Sequence, residues 1–375
     1  MYDLEQFLEP VNPNVLNGDV PFYDRQFGRT IDIFSETFPD VDKADVIIAG
    51  IDEFRGAGFF SDLNPADEVR TQLYKLLHWH QDISAADIGN IKTGATLNDS
   101  YSCVTTVLKD FVNTGKSVIL IGGSHDLTLA QYKVYSSENQ FAESAVIDSH
   151  IDLQSESSVK SENFLMDMLT SEPNFIRYYN HIGFQSYFVH PYMLETMDKL
   201  RFDCMRVGIA REKMDEIEPL MRQSDFISFD LNAIRYGDAP AGGISPNGFT
   251  GEEACSLSRF AGSGEKTDSF GIYGYRPEKD TNHITALQIA QMIWYFIDGK
   301  SRSKQESALH DKQNFNEFHT PLNGEETVFL QSKKTGRWWM QIGGKKMISC
   351  SYNDYVYASN NEIPERWLRA QERDF

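Results

Sequence analysis

The order of apolar and polar stretches along the chain predicts β-strands that alternate with α-helices. Short apolar runs rich in Val and Ile are separated by segments with the spacing of amphipathic helices. Strands are predicted over 45–52, 116–123, 144–153, 179–184, 204–209, 225–234 and 268–275, and helices over 66–80, 100–115, 126–136, 212–223 and 283–299. Strands that are apolar nearly throughout are typical of a mostly parallel sheet covered by helices on both faces.

The same pattern predicts three parts. Residues 1–299 form one α/β domain, and the polar stretch 300–326 is a linker or insertion. Residues 327–375 form a C-terminal extension, in which two apolar runs flank "KKTG" as in a β-hairpin. The Trp residues of this extension favour either packing on the main domain or a subunit interface.

Composition excludes several classes of function. The 375 residues are 41% hydrophobic, which is ample for a core, and the net charge of −20 argues against binding to nucleic acid or to an anionic membrane surface. Solubility alone explains that charge. The four Cys residues are too scattered for a disulfide framework or a zinc–thiolate site, and no run of about 18 apolar residues is present. The acidic N-terminus has no signal-peptide pattern, so we expect a cytoplasmic protein.

Polar side chains interrupt the apolar run "AVIDSHIDL" at every second position. Asp148, His150 and Asp152 would share one face of an extended strand. In a parallel sheet, ligands bind beyond the carboxyl ends of the strands. Two carboxylates beside an imidazole suit a divalent metal ion such as manganese. The alternative interpretation is a polar strand exit without an ion.

Two further strand ends carry ligand-type residues. His125 follows the Gly-Gly turn in "LIGGSHDL", and Asp230 and Asn232 follow the apolar run in "FISFDLN". A lone histidine after Gly-Gly is more often structural, and a lone D-x-N is more often a turn or a cap. Together, three such strand ends in one predicted sheet indicate a metal site assembled from several strands.

The order "GGSHD", "DSHID", "SFDLN" resembles the metal motifs of the arginase–agmatinase–formiminoglutamase superfamily, with formiminoglutamases as the nearest branch. The resemblance covers roughly residues 40–299 and excludes the C-terminal extension. It implies an arginase-like three-layer α-β-α fold with a mostly parallel central sheet. It also implies manganese as cofactor.

Carried over residue by residue, the resemblance implies a complete first-ion ligand set of His125, Asp148, Asp152 and Asp230. The second ion would use His150, share two of the aspartates, and depend on the position of Asn232, where the family has an aspartate. An amide offers one neutral oxygen instead of an anion. We therefore expect one or two Mn²⁺ ions, with the second bound more weakly.

Other positions depart from the family pattern. The acidic residue of the last strand, which recognises the amidine or guanidinium group, aligns with Gly274, and the loop after "DSHID" lacks a histidine. Asp238 or Glu278 are candidate substitutes for the missing acid. Arg235 and Arg276 are candidates for binding a substrate carboxylate; the alternative for each is an ordinary ion pair.

The resemblance implies metal-dependent hydrolysis of a C–N bond in a small linear amidine or guanidine. A formiminoglutamate-like substrate would give glutamate and formamide. The alternative is a non-catalytic arginase-fold protein with a degenerate metal site that acts as a binding or scaffold subunit. No G-x-S-x-G motif supports a serine hydrolase. We expect a homo-oligomer, with the Trp- and Tyr-rich extension as a possible surface for a protein partner.

Overall fold

The computed structural model describes residues 4–17, 20–322, 324–344 and 346–373; the outer ends of the first and last predicted parts, 1–3 and 374–375, lie outside these ranges. The strands are β1 Leu8–Glu9, β2 Asp32–Ile33, β3 Val46–Ile51, β4 Ala85–Ile91, β5 Ser117–Ile121, β6 Ala142–Ile147, β7 Ile176–Phe184, β8 Asp203–Arg206, β9 Phe226–Asp230, β10 Ser269–Tyr273, β11 Phe315–Leu322, β12 Glu325–Ser332, β13 Trp338–Ile342 and β14 Lys346–Cys350. The helices are α1 Pro13–Leu16, α2 Phe27–Thr30, α3 Pro65–Leu73, α4 Leu97–Lys109, α5 Thr128–Ser136, α6 Phe164–Thr170, α7 Pro191–Lys199, α8 Val207–Glu212, α9 Met214–Arg222, α10 Gly251–Gly262, α11 Ile284–Lys304, α12 Tyr352–Ser359 and α13 Glu365–Arg373.

Ten strands form the central sheet in the order β1-β4-β3-β5-β10-β9-β6-β7-β8, with β2 also paired to β4. Among the described strands of this sheet, β1 alone runs antiparallel to its neighbour, and the other pairs are parallel. The four strands β5, β10, β9 and β6 are adjacent, so their carboxyl ends meet at one edge. The predicted mostly parallel α-β-α architecture is confirmed.

Each face of the sheet has its own apolar core. One core packs α3, α9, α10 and α11 on side chains such as Ile48, and the other packs α4, α5, α6 and α7 on side chains such as Ile47. Neighbouring residues of one strand point to opposite faces, so a strand covered on both sides must be apolar at every position. This is why the strands could be recognised as continuous apolar runs. No helix in the described ranges has the length and apolar character needed to cross a bilayer.

The helix predicted over 66–80 ends early, at Leu73. The carbonyl groups of Tyr74 and Leu76 accept hydrogen bonds from the backbone of Gly28 and Phe27, at 3.1 and 3.0 Å. These bonds to a distant segment replace the next helical turn. The strand predicted over 204–209 also ends early, at Arg206. It is the outermost strand of the sheet and pairs only with β7, and α8 follows it directly.

The stretch 300–326 differs from the predicted polar linker. Helix α11 continues through Lys304, and Phe315–Leu322 is the strand β11, which pairs antiparallel with β12. β11 is an edge strand of the C-terminal sheet, and half of its eight side chains are exposed, so polar residues are accommodated in it. The hairpin predicted around "KKTG" is present as β12 and β13.

The C-terminal extension packs on the main domain through α9. The guanidinium carbon of Arg222 lies 4.4 Å from the ring centre of Trp339, and its Nη2 donates to the carbonyl of Trp338 at 3.0 Å. Both Trp side chains are buried. Cation–π contact and burial together favour packing over a subunit interface as the role of these two residues.

Candidate metal centre

The site lies at the sheet edge where β5, β9 and β6 end. After β5, Gly122 and Gly123 adopt positive φ angles of 98° and 78°, which turn the chain sharply into a 3₁₀ turn that begins at His125. A side chain at Gly122 would collide with the carbonyl of Ile51 at 2.7 Å, so this turn requires glycine. Asp148 directly follows β6, and Asp230 ends β9.

Four ligand-type side chains converge there. His125 Nδ1 lies 2.8 Å from Asp152 Oδ2, 2.9 Å from Asp148 Oδ2 and 3.5 Å from Asp230 Oδ2. Ligand atoms of His125, Asp148 and Asp230 all lie within 4.8 Å of one another. All four residues are buried. We call this group the His125 cluster.

The orientation of the imidazole is set by its other nitrogen. His125 Nε2 lies 2.9 Å from Ser228 Oγ, which in turn lies 2.6 Å from Thr128 Oγ1. The ring is thereby held with Nδ1 directed at the carboxylates. A partner of this kind on the second nitrogen is typical of metal-ligating histidines.

Burial and mutual repulsion perturb the ionisation of the cluster. Burial raises the pKa of Asp230 to about 7, and burial together with the charge of Asp148 raises the pKa of Asp152 well above its usual range. Burial opposes ionisation of both Asp148 and His125, but their contact outweighs it: the pKa of Asp148 is lowered and that of His125 is raised. Three carboxylates at this distance resist ionising together without a compensating cation.

A divalent ion fits the donor set. Asp148 Oδ2 is buried and makes no hydrogen bond of acceptable geometry, although it lies 2.9 Å from His125 Nδ1. Buried polar atoms are rarely left unpaired. Carboxylate oxygens with one imidazole suit a cation such as Mn²⁺. The unpaired Oδ2 of Asp148 is therefore an atom that a bound metal ion would coordinate.

His150 and Asn232 lie beside the cluster. His150 Nδ1 lies 2.9 Å from Ser149 Oγ and 3.9 Å from Asp148 Oδ1, and its ring stacks on Phe188 with a centroid distance of 4.7 Å. Asn232 Oδ1 accepts hydrogen bonds from the backbone and the hydroxyl of Ser149, at 3.0 and 2.9 Å. The oxygen that would serve a second ion is therefore already engaged.

Three members of the cluster, His125, Asp152 and Asp230, line a cleft of about 750 Å³. Arg276 lines this cleft, with its guanidinium carbon 4.4 Å from the ring centre of Phe59. Sequence reasoning missed three further lining residues, Phe59, Lys279 and Glu162. Glu162 lies in the polar loop after "DSHID", where only its proximity in sequence to the metal motif could have pointed to it.

Arg235 does not line this cleft. It pairs with Asp238 at 2.9 Å and borders a separate cavity beside Trp79 and Trp294. Arg235 therefore forms an ordinary ion pair, which was the alternative to its binding a substrate carboxylate. Asp238 also accepts from the backbone of Gly251, and Glu278 is exposed beside Ser61. Neither acid borders the cleft, so neither replaces the acid missing at Gly274.

Gly274 has no space for a side chain. Its φ is +81°, and an added Cβ would lie 2.7 Å from Asp230 Oδ1. A carboxylate cannot be accommodated at this position without movement of the backbone or of Asp230. The departure from the family pattern is built into the local conformation of the strand exit.

Comparison with known protein families identifies the family of the chain. The model of the Arginase family matches residues 63–298, well over half of the chain. The chain belongs to the arginase family. This places β4 to β10, and the whole His125 cluster, within the family's shared region. No curated protein compared with the chain matches it in sequence.

Solved structures share the fold of this arginase-family chain. Formiminoglutamase from Trypanosoma cruzi, crystallised with Mn²⁺, has a TM-score of 0.65 and 16% identity over 74% of this chain and 99% of its own. Formimidoylglutamase from Bacillus subtilis has a TM-score of 0.66 and 14% identity over 78% and 98%. Proclavaminate amidino hydrolase from Streptomyces clavuligerus has a TM-score of 0.59 and 18% identity over 75% and 98%. At such identities the similarity shows the fold alone.

Proposed function

We propose that this chain binds a divalent metal ion at the His125 cluster and hydrolyses a C–N bond in a small linear amidine or guanidine. The observation that carries the proposal is the convergence of four buried ligand-type side chains, three of which line a cleft. The preferred substrate would resemble formiminoglutamate, with glutamate and formamide as products.

His125, Asp148, Asp152 and Asp230 would hold the ion, and Mn²⁺ is the ion that this donor set favours. When bound, such an ion supplies Lewis acidity and lowers the pKa of a coordinated water. Arg276 would bind the carboxylate of the substrate, because its planar guanidinium is matched to carboxylates. The aromatic wall of Phe54 and Phe59, stacked at 4.7 Å, would limit access of water on that side. A second ion beside His150 would bind more weakly, since Asn232 contributes no negative charge.

A second candidate is a non-catalytic protein that keeps the fold and one ion. Two observations favour it. Gly274 leaves the last strand without an acid and without space for one, and the side-chain oxygen of Asn232 is engaged by Ser149. In this case the cleft would bind a ligand without converting it.

The two candidates are separated by measuring metal binding and turnover on the same protein. Mn²⁺ is titrated by calorimetry into wild type, Asp148→Asn and, as a matched control, Asp198→Asn on the exposed face of α7. Release of formamide or urea is then followed with formiminoglutamate, agmatine and 4-guanidinobutyrate. We expect at least one tight ion per chain in wild type and the control, weakened in Asp148→Asn by about a hundredfold or more because a buried charged ligand is lost.

Turnover that requires Mn²⁺ and is lost in Asp148→Asn would support the hydrolase. Tight binding of Mn²⁺ with no turnover of any of the three compounds would support the non-catalytic candidate. Wild type that binds no Mn²⁺ would contradict both.

A further inference from the structure

Side chains of both charges line the cleft. Its carboxylates are Asp152 and Asp230, which belong to the His125 cluster, and Glu162. Among the residues that the structure describes, Glu162 is thus the one carboxylate of the cleft that lies outside the cluster. The cations of the lining are Arg276 and Lys279. A cleft with both signs of charge is suited to a ligand that carries both.

Glu162 is held close to the cluster by its turn. The 3₁₀ turn Lys160–Glu162 packs against the turn Arg55–Ala57 and against the turn that begins at His125. The carbonyl of Glu162 accepts from the backbone of Gln154 at 3.0 Å, and Oε2 accepts from Ser157 Oγ at 2.6 Å. Oε1 makes no hydrogen bond within the described ranges. The side chain is therefore positioned by one oxygen while the other is available to a ligand.

Arg276 lines the same cleft, where its positive charge acts on Asp230 and opposes the rise in the pKa of that carboxyl. It stacks on Phe59, which follows the same turn Arg55–Ala57 that contacts Glu162. No ion pair of Arg276 occurs in the described part of the chain. A stacked guanidinium that is held in no close ion pair keeps its planar donors free for a carboxylate.

We propose that Glu162 determines specificity by binding the cationic end of the ligand, while Arg276 binds its carboxylate end. The ligand class is a linear zwitterion with an amidinium or guanidinium group at one end and a carboxylate at the other. A carboxylate can accept two parallel hydrogen bonds from such a cation. Glu162 thereby serves in place of an acid at Gly274. This inference rests on the proposed function of the cleft, but it concerns binding and not turnover.

The test uses three probes that separate the two ends: 4-guanidinobutyrate carries both groups, propylguanidine only the cation, and butyrate only the carboxylate. Dissociation constants are measured by calorimetry on full-length protein saturated with Mn²⁺. The variants are Glu162→Gln, which keeps an acceptor for Ser157, and Arg276→Gln. The matched control is Glu156→Gln, an exposed glutamate of the same loop that does not line the cleft.

We expect Glu162→Gln to weaken the binding of 4-guanidinobutyrate and propylguanidine by about tenfold or more and to leave the binding of butyrate unchanged. Arg276→Gln should weaken 4-guanidinobutyrate and butyrate and leave propylguanidine unchanged. Glu156→Gln should match wild type. Equal binding of propylguanidine by wild type and Glu162→Gln would overturn the proposal, as would wild type that binds none of the probes. The expected pattern without hydrolysis would support this inference while contradicting the proposed hydrolase.

Discussion

Replacing Gly274 with alanine should damage both the stability of the fold and the metal site. Gly274 adopts a φ of +81°, and the added methyl group would lie 2.7 Å from Asp230 Oδ1. The left-handed conformation costs a residue with a side chain about 1–2 kcal/mol. The overlap with Asp230 adds about 1–3 kcal/mol, as is usual when a packed site is overfilled. We therefore expect a total loss of about 2–5 kcal/mol in the free energy of unfolding.

Gly115→Ala is the matched control. Gly115 has a φ of +80°, but an added methyl group there would meet no atom within 4 Å. Gly115→Ala should therefore lower the free energy of unfolding only by the cost of the left-handed backbone conformation, about 1–2 kcal/mol. Both variants are compared with wild type by urea unfolding, with linear extrapolation to water. The difference between the two alanine variants isolates the contact with Asp230.

The metal site provides a second measurement. Because the methyl group must displace the carboxylate of Asp230, Mn²⁺ should bind Gly274→Ala at least about tenfold more weakly, which is about 1.4 kcal/mol. Gly115→Ala should bind Mn²⁺ as wild type does. Equal stability losses in both variants, with unchanged affinity for Mn²⁺, would refute the argument that Gly274 directly abuts the cluster.

Three further predictions concern other parts of the domain. Asn232→Asp keeps an acceptor for Ser149 and adds one negative charge. Calorimetry should therefore show that the second Mn²⁺ ion binds this variant at least about tenfold more tightly than wild type, a gain of about 1.4 kcal/mol in binding free energy. Burial raises the pKa of Asp268 from 3.8 to about 6. The unfolding free energy of wild type should therefore fall relative to Asp268→Asn as pH rises from about 4 to about 7, by up to about 3 kcal/mol. Arg70 pairs with the buried Asp87 at 2.8 Å, so Arg70→Met leaves this carboxylate without its counter-charge and should lower the free energy of unfolding in urea by about 3–5 kcal/mol. The double variant with Asp87→Leu should recover most of this loss.

Each of these has an outcome that would contradict it. Identical Mn²⁺ stoichiometry and affinities for Asn232→Asp and wild type would mean that position 232 does not serve a second ion. The folded state binds the proton of Asp268 more tightly than the unfolded state does. If the stability of wild type relative to Asp268→Asn instead increased with rising pH, the raised pKa of Asp268 would be contradicted. If the double variant were no more stable than Arg70→Met, the loss would not arise from an unpaired charge.

The sequence by itself determined the parts of this protein that local pattern encodes. The strands β3, β5, β6, β9 and β10 are buried on both faces, so they appear as continuous apolar runs. The strand ends of this group carry His125, Asp148 and Asp230, and adjacency in a parallel sheet brings these ends to one edge. The fold class and the convergence of His125, Asp148 and Asp230 therefore follow from the pattern of residues alone. The strand predicted over 144–153 ends at Ile147, so the alternation expected for Asp148, His150 and Asp152 is wrong, and the position of Asp152 depends on the loop that follows β6.

Only the tertiary structure decided where these patterns are overridden by distant contacts. Helix α3 ends at Leu73 because the carbonyl groups of the residues after it, Tyr74 and Leu76, accept from a distant segment of backbone. The segment β11 is a strand because β12 pairs with it. Arg235 and Arg276 are equivalent in sequence terms, yet one is paired outside the cleft and the other faces into it. Glu162 has no motif at all. Its position depends on the packing of one turn against another, which no local pattern records.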